Sequence, residues 1–148
     1  MHNRRRRIFA LLAGIAVAAG LSVTTVAPTA GARAGTSYRP VIFVHGSAGS
    51  ASQFQTQAKR LASNGYPIDI IEAQEYDSPN VAAILPQIYA ELDARIGRLL
   101  TGSGADKVDL LAHSLGTFVM QSYLGSSPAR AGRVAHYVNL DGRTATAP

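Results

Sequence analysis

Ser114 stands where an apolar run gives way to a helical pattern, with the small residues Ala112 and Gly116 two positions to either side. Residues 108–112 predict a buried strand, and the apolar spacing from Leu115 onward predicts a helix. A serine on such a sharp strand-to-helix turn adopts a strained backbone and exposes its hydroxyl for attack on a carbonyl carbon. Only small neighbours fit, because the turn brings their positions close together. The alternative is a strand followed by an ordinary N-capping serine.

A second loop of interest follows the first predicted strand. Residues 41–44 are a continuous run of strand-forming apolar residues, suited to the middle of a parallel sheet. Residues 45–50 follow as a loop rich in glycine and small residues. Since the carboxyl ends of parallel strands share one edge of a sheet, we expect this loop and Ser114 to lie on the same side. An ordinary glycine turn between a strand and a helix would have the same composition.

The first half of the chain predicts one helix and a second strand to position these loops. Helical spacing begins near Ala51 and ends at the turn formed by Asn64 and Gly65. The second strand is predicted over residues 68–71, followed by a polar loop over residues 74–80. The acids of that loop, Glu75 and Asp77, are expected to be solvated.

The second half of the chain continues the alternation. A long apolar stripe at four-residue steps over residues 84–100 predicts a helix, which Pro86 should kink or cause to begin later. Residues 134–140 predict a fourth strand. The resulting β-α-β-α-β-α-β order predicts an α/β fold, with a mostly parallel sheet and helices on both faces.

The positive charge of the chain is concentrated at its N-terminus. The 148 residues carry a formal net charge of +5, and five of the 14 basic residues lie in residues 1–34, where there is no acid. The remaining nine basic residues balance the nine acids, so the predicted domain over residues 35–148 is formally neutral. This distribution gives no support to a nucleic-acid-binding surface, and we expect no nucleic-acid partner.

Residues 1–34 have the layout of an export signal. An arginine run precedes the uncharged apolar residues 8–26, and Ala32-Arg33-Ala34 fits a cleavage site before Gly35. The alternative is an uncleaved membrane anchor, because the uncharged run is long enough to span a bilayer. We expect cleavage, and therefore a secreted protein with no stable membrane anchor. The chain has no cysteine, so its domain is stabilised without disulfides.

The chain resembles the α/β-hydrolases, and most closely the small secreted bacterial lipases of class 2. The similarity lies in residues 40–49 (PVIFVHGSAG), 107–116 (KVDLLAHSLG) and 134–142 (VAHYVNLDG). The AHSLG form of the serine turn is a feature of those lipases. The resemblance implies a serine esterase or triacylglycerol lipase that cleaves small-molecule or lipid esters through an acyl-enzyme on Ser114. It implies no cofactor and no metal.

The resemblance also implies an oxyanion hole, the pair of donors that binds the negative oxygen of the reaction intermediate. By correspondence with the family, its donors are the backbone N–H groups of Ser47 and Leu115. His45, Gly46 and Gly116 would form the supporting loop and turn around them.

The chain departs from the family in the rest of the catalytic triad, whose acid and histidine follow later strands. We therefore expect a truncated hydrolase domain that lacks its C-terminal strands, with the triad acid and histidine absent from this chain. His45 is expected to order its loop, His113 to point away from the serine, and His136 to lie at the far end of its strand. Asp141 is expected to shape a turn with Gly142. The alternative function is a truncated or degenerate hydrolase fold without catalytic activity.

Overall fold

A computed structural model describes residues 38–142, which contain a single four-stranded parallel sheet. The strands are β1 (Val41–Val44), β2 (Ile71–Gln74), β3 (Val108–His113) and β4 (Val134–Leu140), and they lie in the order β2-β1-β3-β4. The helices are α1 (Gln55–Ser63), α2 (Val81–Ser103), α3 (Leu115–Gly125) and α4 (Pro128–Gly132). The predicted export signal and its cleavage site lie outside the described residues.

The two faces of the sheet bury two separate clusters, which confirms the predicted α/β fold with helices on both faces. On one face, Ile42 of β1 and Leu110 of β3 pack against α2 and α3. On the other face, Phe43 of β1 stacks on Phe54, beside α1, with ring centroids 4.7 Å apart. Successive residues of β1 serve opposite faces because side chains alternate along a strand.

Helix α2 covers the first of these faces with the predicted stripe at four-residue steps. Its buried residues are Ile88, Leu92, Ile96 and Leu99. Burying each such side chain stabilises the fold by about 1.5–3 kcal/mol relative to leaving it exposed. The helix begins at Val81 and continues through Pro86, so the expectation that the proline delays its start is wrong. Pro86 lies in the second turn of the helix, where it removes one backbone donor.

The second strand lies three residues later than predicted. Residues Ile68–Ile70 form a 3-10 turn in which Ile68 is 60% exposed, and pairing with β1 begins at Ile71. Gln74, predicted to begin a polar loop, ends β2 with only 1% of its surface exposed. The buried amide of Gln74 is tolerated because α2 provides partners for both of its polar atoms. Arg95 donates a hydrogen bond to the amide oxygen, and the amide nitrogen donates to the Glu91 carboxylate.

Asp93 of α2 ties three helices together. Its carboxylate accepts hydrogen bonds from the Tyr123 hydroxyl of α3 and from the Arg130 guanidinium of α4, both at 2.7 Å. The same guanidinium lies over the rings of Tyr89 and Tyr123 at 5.1 and 5.2 Å. Arg130 lowers the pKa of Asp93, and burial raises that of Tyr123.

Strand β4 forms one edge of the described sheet and pairs only with β3 among residues 38–142. Val138 and Leu140 are 43% and 42% exposed, on the face that Leu111 shares. A search of the described part of the chain finds no helix with the length and hydropathy needed to span a membrane.

Candidate active site

Ser114 occupies the turn between β3 and α3 with φ 52° and ψ −121°. Its φ lies in the positive region that residues other than glycine rarely adopt, so the backbone is strained at this residue. The strain is held by hydrogen bonds on both sides. Its N–H donates to the Leu140 carbonyl of β4 at 2.9 Å, and its carbonyl accepts from the N–H and the hydroxyl of Thr117. The strained serine predicted from the small residues around it is therefore present.

The small residues beside Ser114 are required by close backbone contacts. A Cβ atom on Gly116 would lie 2.5 Å from the His45 carbonyl oxygen and 2.6 Å from that of Val44. One on Gly46 would lie 3.0 Å from the Cβ of Ser114. The N-terminus of α3 and the loop after β1 thus press directly against each other, and the loop passes beside the serine.

The loop after β1 turns tightly between Gly46 and Gly49, whose N–H donates to the Gly46 carbonyl at 3.2 Å. Ala48 within this turn has a φ of 52°, also in the left-handed region. Its N–H donates to the Ser78 hydroxyl oxygen at 2.9 Å. The turn is therefore fixed both by its own hydrogen bond and by a side chain from another segment.

Two backbone donors near Ser114 are left without partners by this arrangement. Neither the N–H of Ser47 nor that of Leu115 donates a hydrogen bond within residues 38–142. Leu115 is the first residue of α3, where backbone N–H groups have no partner inside the helix and the helix dipole favours negative charge. Two unoccupied donors beside a strained serine can stabilise an anionic oxygen formed on an attacked carbonyl.

His45 is fully buried below this turn and orders it. Its Nδ1 donates to the Gly46 carbonyl at 2.8 Å, and its Nε2 lies 2.9 Å from a Glu75 carboxylate oxygen. The other oxygen of that carboxylate accepts from the Ala51 N–H at 2.8 Å. The Ala51 hydrogen bond, followed by the charge interaction with His45, lowers the pKa of Glu75.

Glu75 and Ser78 are site residues that sequence analysis missed. Glu75 is 61% exposed, as expected of a solvated loop acid, but its two carboxylate oxygens also contact His45 and the Ala51 N–H at either end of the loop after β1. Ser78 is only 5% exposed. Their position after the carboxyl end of β2, the neighbour of β1, was the available signal, but the misplaced second strand obscured it.

The described histidines are engaged elsewhere. His113 points toward Gly46, and its Nδ1 lies 3.0 Å from the amide nitrogen of Gln53. His136 is at the opposite end of the sheet, where its Nδ1 lies 2.8 Å from an Asp109 oxygen. Within residues 38–142 no side chain forms a hydrogen bond with the Ser114 hydroxyl.

Asp141 forms a turn after β4, with a φ of 54°. The N–H of Gly142 donates to the Asn139 side chain at 3.0 Å, which closes this turn. No group of three or more histidine, aspartate or glutamate side chains in the described part of the chain could hold a metal ion.

The parallel sheet, the strained serine after a central strand and the glycine loop against it define an α/β-hydrolase. Residues 38–127 match the model of the family described as Lipase (class 2). The chain therefore belongs to the class 2 lipases, which confirms the resemblance stated above; these are lipase-like hydrolases, and the family implies ester substrates. The match contains both the loop after β1 and the serine turn, whereas β4 and Asp141 follow its last residue.

Proposed function

We propose that this protein is a secreted serine esterase or lipase that hydrolyses carboxylic esters through an acyl-enzyme on Ser114. The observation that supports it most is the strained backbone of Ser114 together with two unpartnered donors, the N–H groups of Ser47 and Leu115. A strained nucleophile with fixed donors at hand is the arrangement that acyl transfer needs.

In the proposed reaction, Ser114 Oγ attacks the carbonyl carbon of the ester while its proton passes to a general base. The carbonyl oxygen becomes an oxyanion and accepts hydrogen bonds from the N–H groups of Ser47 and Leu115, each worth about 3–4 kcal/mol of barrier. The tetrahedral intermediate collapses as the C–O bond to the alcohol breaks, and the base returns the proton to that alcohol. Water then attacks the acyl-enzyme by the same steps and regenerates the serine.

The general base of this mechanism comes from outside residues 38–142. None of the described histidines forms a hydrogen bond with the serine hydroxyl. The same observation favours the second candidate function, a hydrolase fold without catalytic activity. In that case Ser114 would keep its strained geometry and would not turn over esters.

The substrate proposed is an uncharged ester. Residues 35–148 carry as many basic as acidic residues, so no net field would attract a charged substrate. An ester of a fatty acid or a short acid is neutral at its reacting centre and fits this balance.

Labelling of the full-length protein with a fluorophosphonate, followed by peptide mass spectrometry, tests the nucleophile. We expect the label on Ser114 and its complete loss in Ser114→Ala. Ser47→Ala is the matched control: it removes a neighbouring hydroxyl and keeps the backbone N–H, so labelling should persist. Labelling at Ser47 or Ser50 would refute the assignment, and labelling without turnover of p-nitrophenyl butyrate would favour the inactive fold.

A further inference from the structure

The segment over residues 75–78, which follows β2, holds the loop after β1 at two points besides the Glu75 contact. The Tyr76 hydroxyl donates to the His45 carbonyl at 2.7 Å, and the two rings stack with centroids 4.3 Å apart. Two residues further along, Ser78 Oγ accepts the hydrogen bond from the Ala48 N–H at 2.9 Å. The segment therefore contacts the loop on both sides of Ser47.

The contact to Ala48 is made at the strained residue of the loop. Alanine with a φ of 52° is unfavourable, and such a conformation persists only where surrounding contacts hold it. Of the contacts to Ala48, the hydrogen bond to Ser78 comes from outside the loop, and the Ser78 side chain is buried. The buried Ser78 hydroxyl therefore holds the Ala48 N–H in one position.

We propose that Ser78 is a positioning residue for the oxyanion hole: by holding the Ala48 N–H, it fixes the preceding peptide so that the Ser47 N–H remains free and aimed at the developing oxyanion. This inference rests on the proposed function. Ser78 forms no hydrogen bond with Ser114 in the described residues, so its effect is proposed to pass through the loop. A donor displaced by about 1 Å loses much of its effect on the transition state, with a cost that can reach about 100-fold in rate.

The test compares Ser78→Ala with Ser78→Thr, which keeps the hydroxyl. The control is Ser52→Ala, which removes an exposed hydroxyl from the 3-10 turn over Ala51–Phe54, next to the loop after β1. In the full-length protein, Ser78→Ala should lower kcat for p-nitrophenyl butyrate about 10- to 100-fold with KM nearly unchanged, because the lost interaction is made only in the transition state. It should also speed hydrogen exchange at the Ala48 amide. Ser78→Thr should restore most of kcat, and Ser52→Ala should change neither quantity.

Thermal unfolding of each variant shows whether it is folded, so that kcat is compared per folded molecule. If Ser78→Ala keeps kcat within about twofold while Ala48 exchange rises, the hydrogen bond is structural only and the inference is overturned. A fall in kcat without faster Ala48 exchange also overturns it, since the effect would not pass through the loop. Absence of Ser114 labelling in the unaltered protein would instead overturn the proposed function, and this inference with it.

Discussion

Replacing Gly116 by alanine tests whether the close approach of α3 to β1 is needed. The new methyl group would meet two backbone carbonyl oxygens, those of His45 at 2.5 Å and Val44 at 2.6 Å. Because both are main-chain atoms of a strand end and its loop, neither can rotate away. The first turn of α3 must therefore move by about 0.5 Å to bring the closer contact to 3.0 Å.

The expected cost follows from the packing around this turn. Overpacking a well-packed site destabilises a protein by about 1–3 kcal/mol. With a shift of about 4–8 °C per kcal/mol for a domain of this size, a loss of about 2 kcal/mol lowers the melting temperature by roughly 8–16 °C. The displaced helix also moves the Leu115 N–H relative to Ser114, so fluorophosphonate labelling of the folded variant should slow.

The assay is thermal unfolding followed by circular dichroism, with Gly125→Ala as the matched control. Gly125 is in the same helix, and a Cβ on it would meet nothing within 4 Å. Alanine there should leave stability unchanged or raise it by up to about 1 kcal/mol. If Gly116→Ala melts at the same temperature as the unaltered protein, or if Gly116→Ala and Gly125→Ala lose the same stability, the close-contact argument is refuted.

Two further predictions concern the Asp93 cluster and export. The pKa of Asp93 is lowered in the folded state, chiefly by its hydrogen bonds from Arg130. The stability that the Asp93 carboxylate contributes is therefore complete above the unfolded pKa of about 3.9, and it is lost as the pH falls through the lower folded pKa. Asp93→Asn should therefore unfold at a lower urea concentration than the unaltered protein at pH 7. If the difference between the two urea midpoints stayed the same below the folded pKa of Asp93, the prediction would be contradicted. For export, intact mass spectrometry of secreted protein should find an N-terminus at or close to Gly35, and an intact arginine run would disprove the cleavage site.

Local patterns were sufficient to predict the serine turn. Ala112 and Gly116 lie two residues to either side of Ser114, with a strand before the turn and a helix after it. These neighbouring residues alone predicted the strained φ of Ser114. The same kind of local evidence placed β1 and β4 at their observed bounds.

Contacts between distant segments were not predictable in this way. Residues 68–71 include three isoleucines and therefore predicted a strand, whereas Glu72 and Gln74 are polar and yet lie in β2. Their burial depends on Arg95 of α2, more than twenty residues away, and no periodicity encodes such a partner. The hydrogen bond between Ala48 and Ser78 could not be predicted for the same reason, since the two segments are neighbours only because β1 pairs with β2.

The attachment of the serine turn to β4 has a consequence for the order in which the domain folds. The Ser114 N–H is bound by Leu140, and Gly142 packs so closely on Thr117 that a Cβ there would overlap its side chain. A chain that has folded only as far as α3 has neither contact, and a strained φ persists only where surrounding contacts hold it. Because both contacts come from residues at or beyond the end of β4, Ser114 gains them only once β4 has docked beside β3. The support of the strained backbone at Ser114 is thus completed late in folding, although Ser114 precedes β4 in the chain.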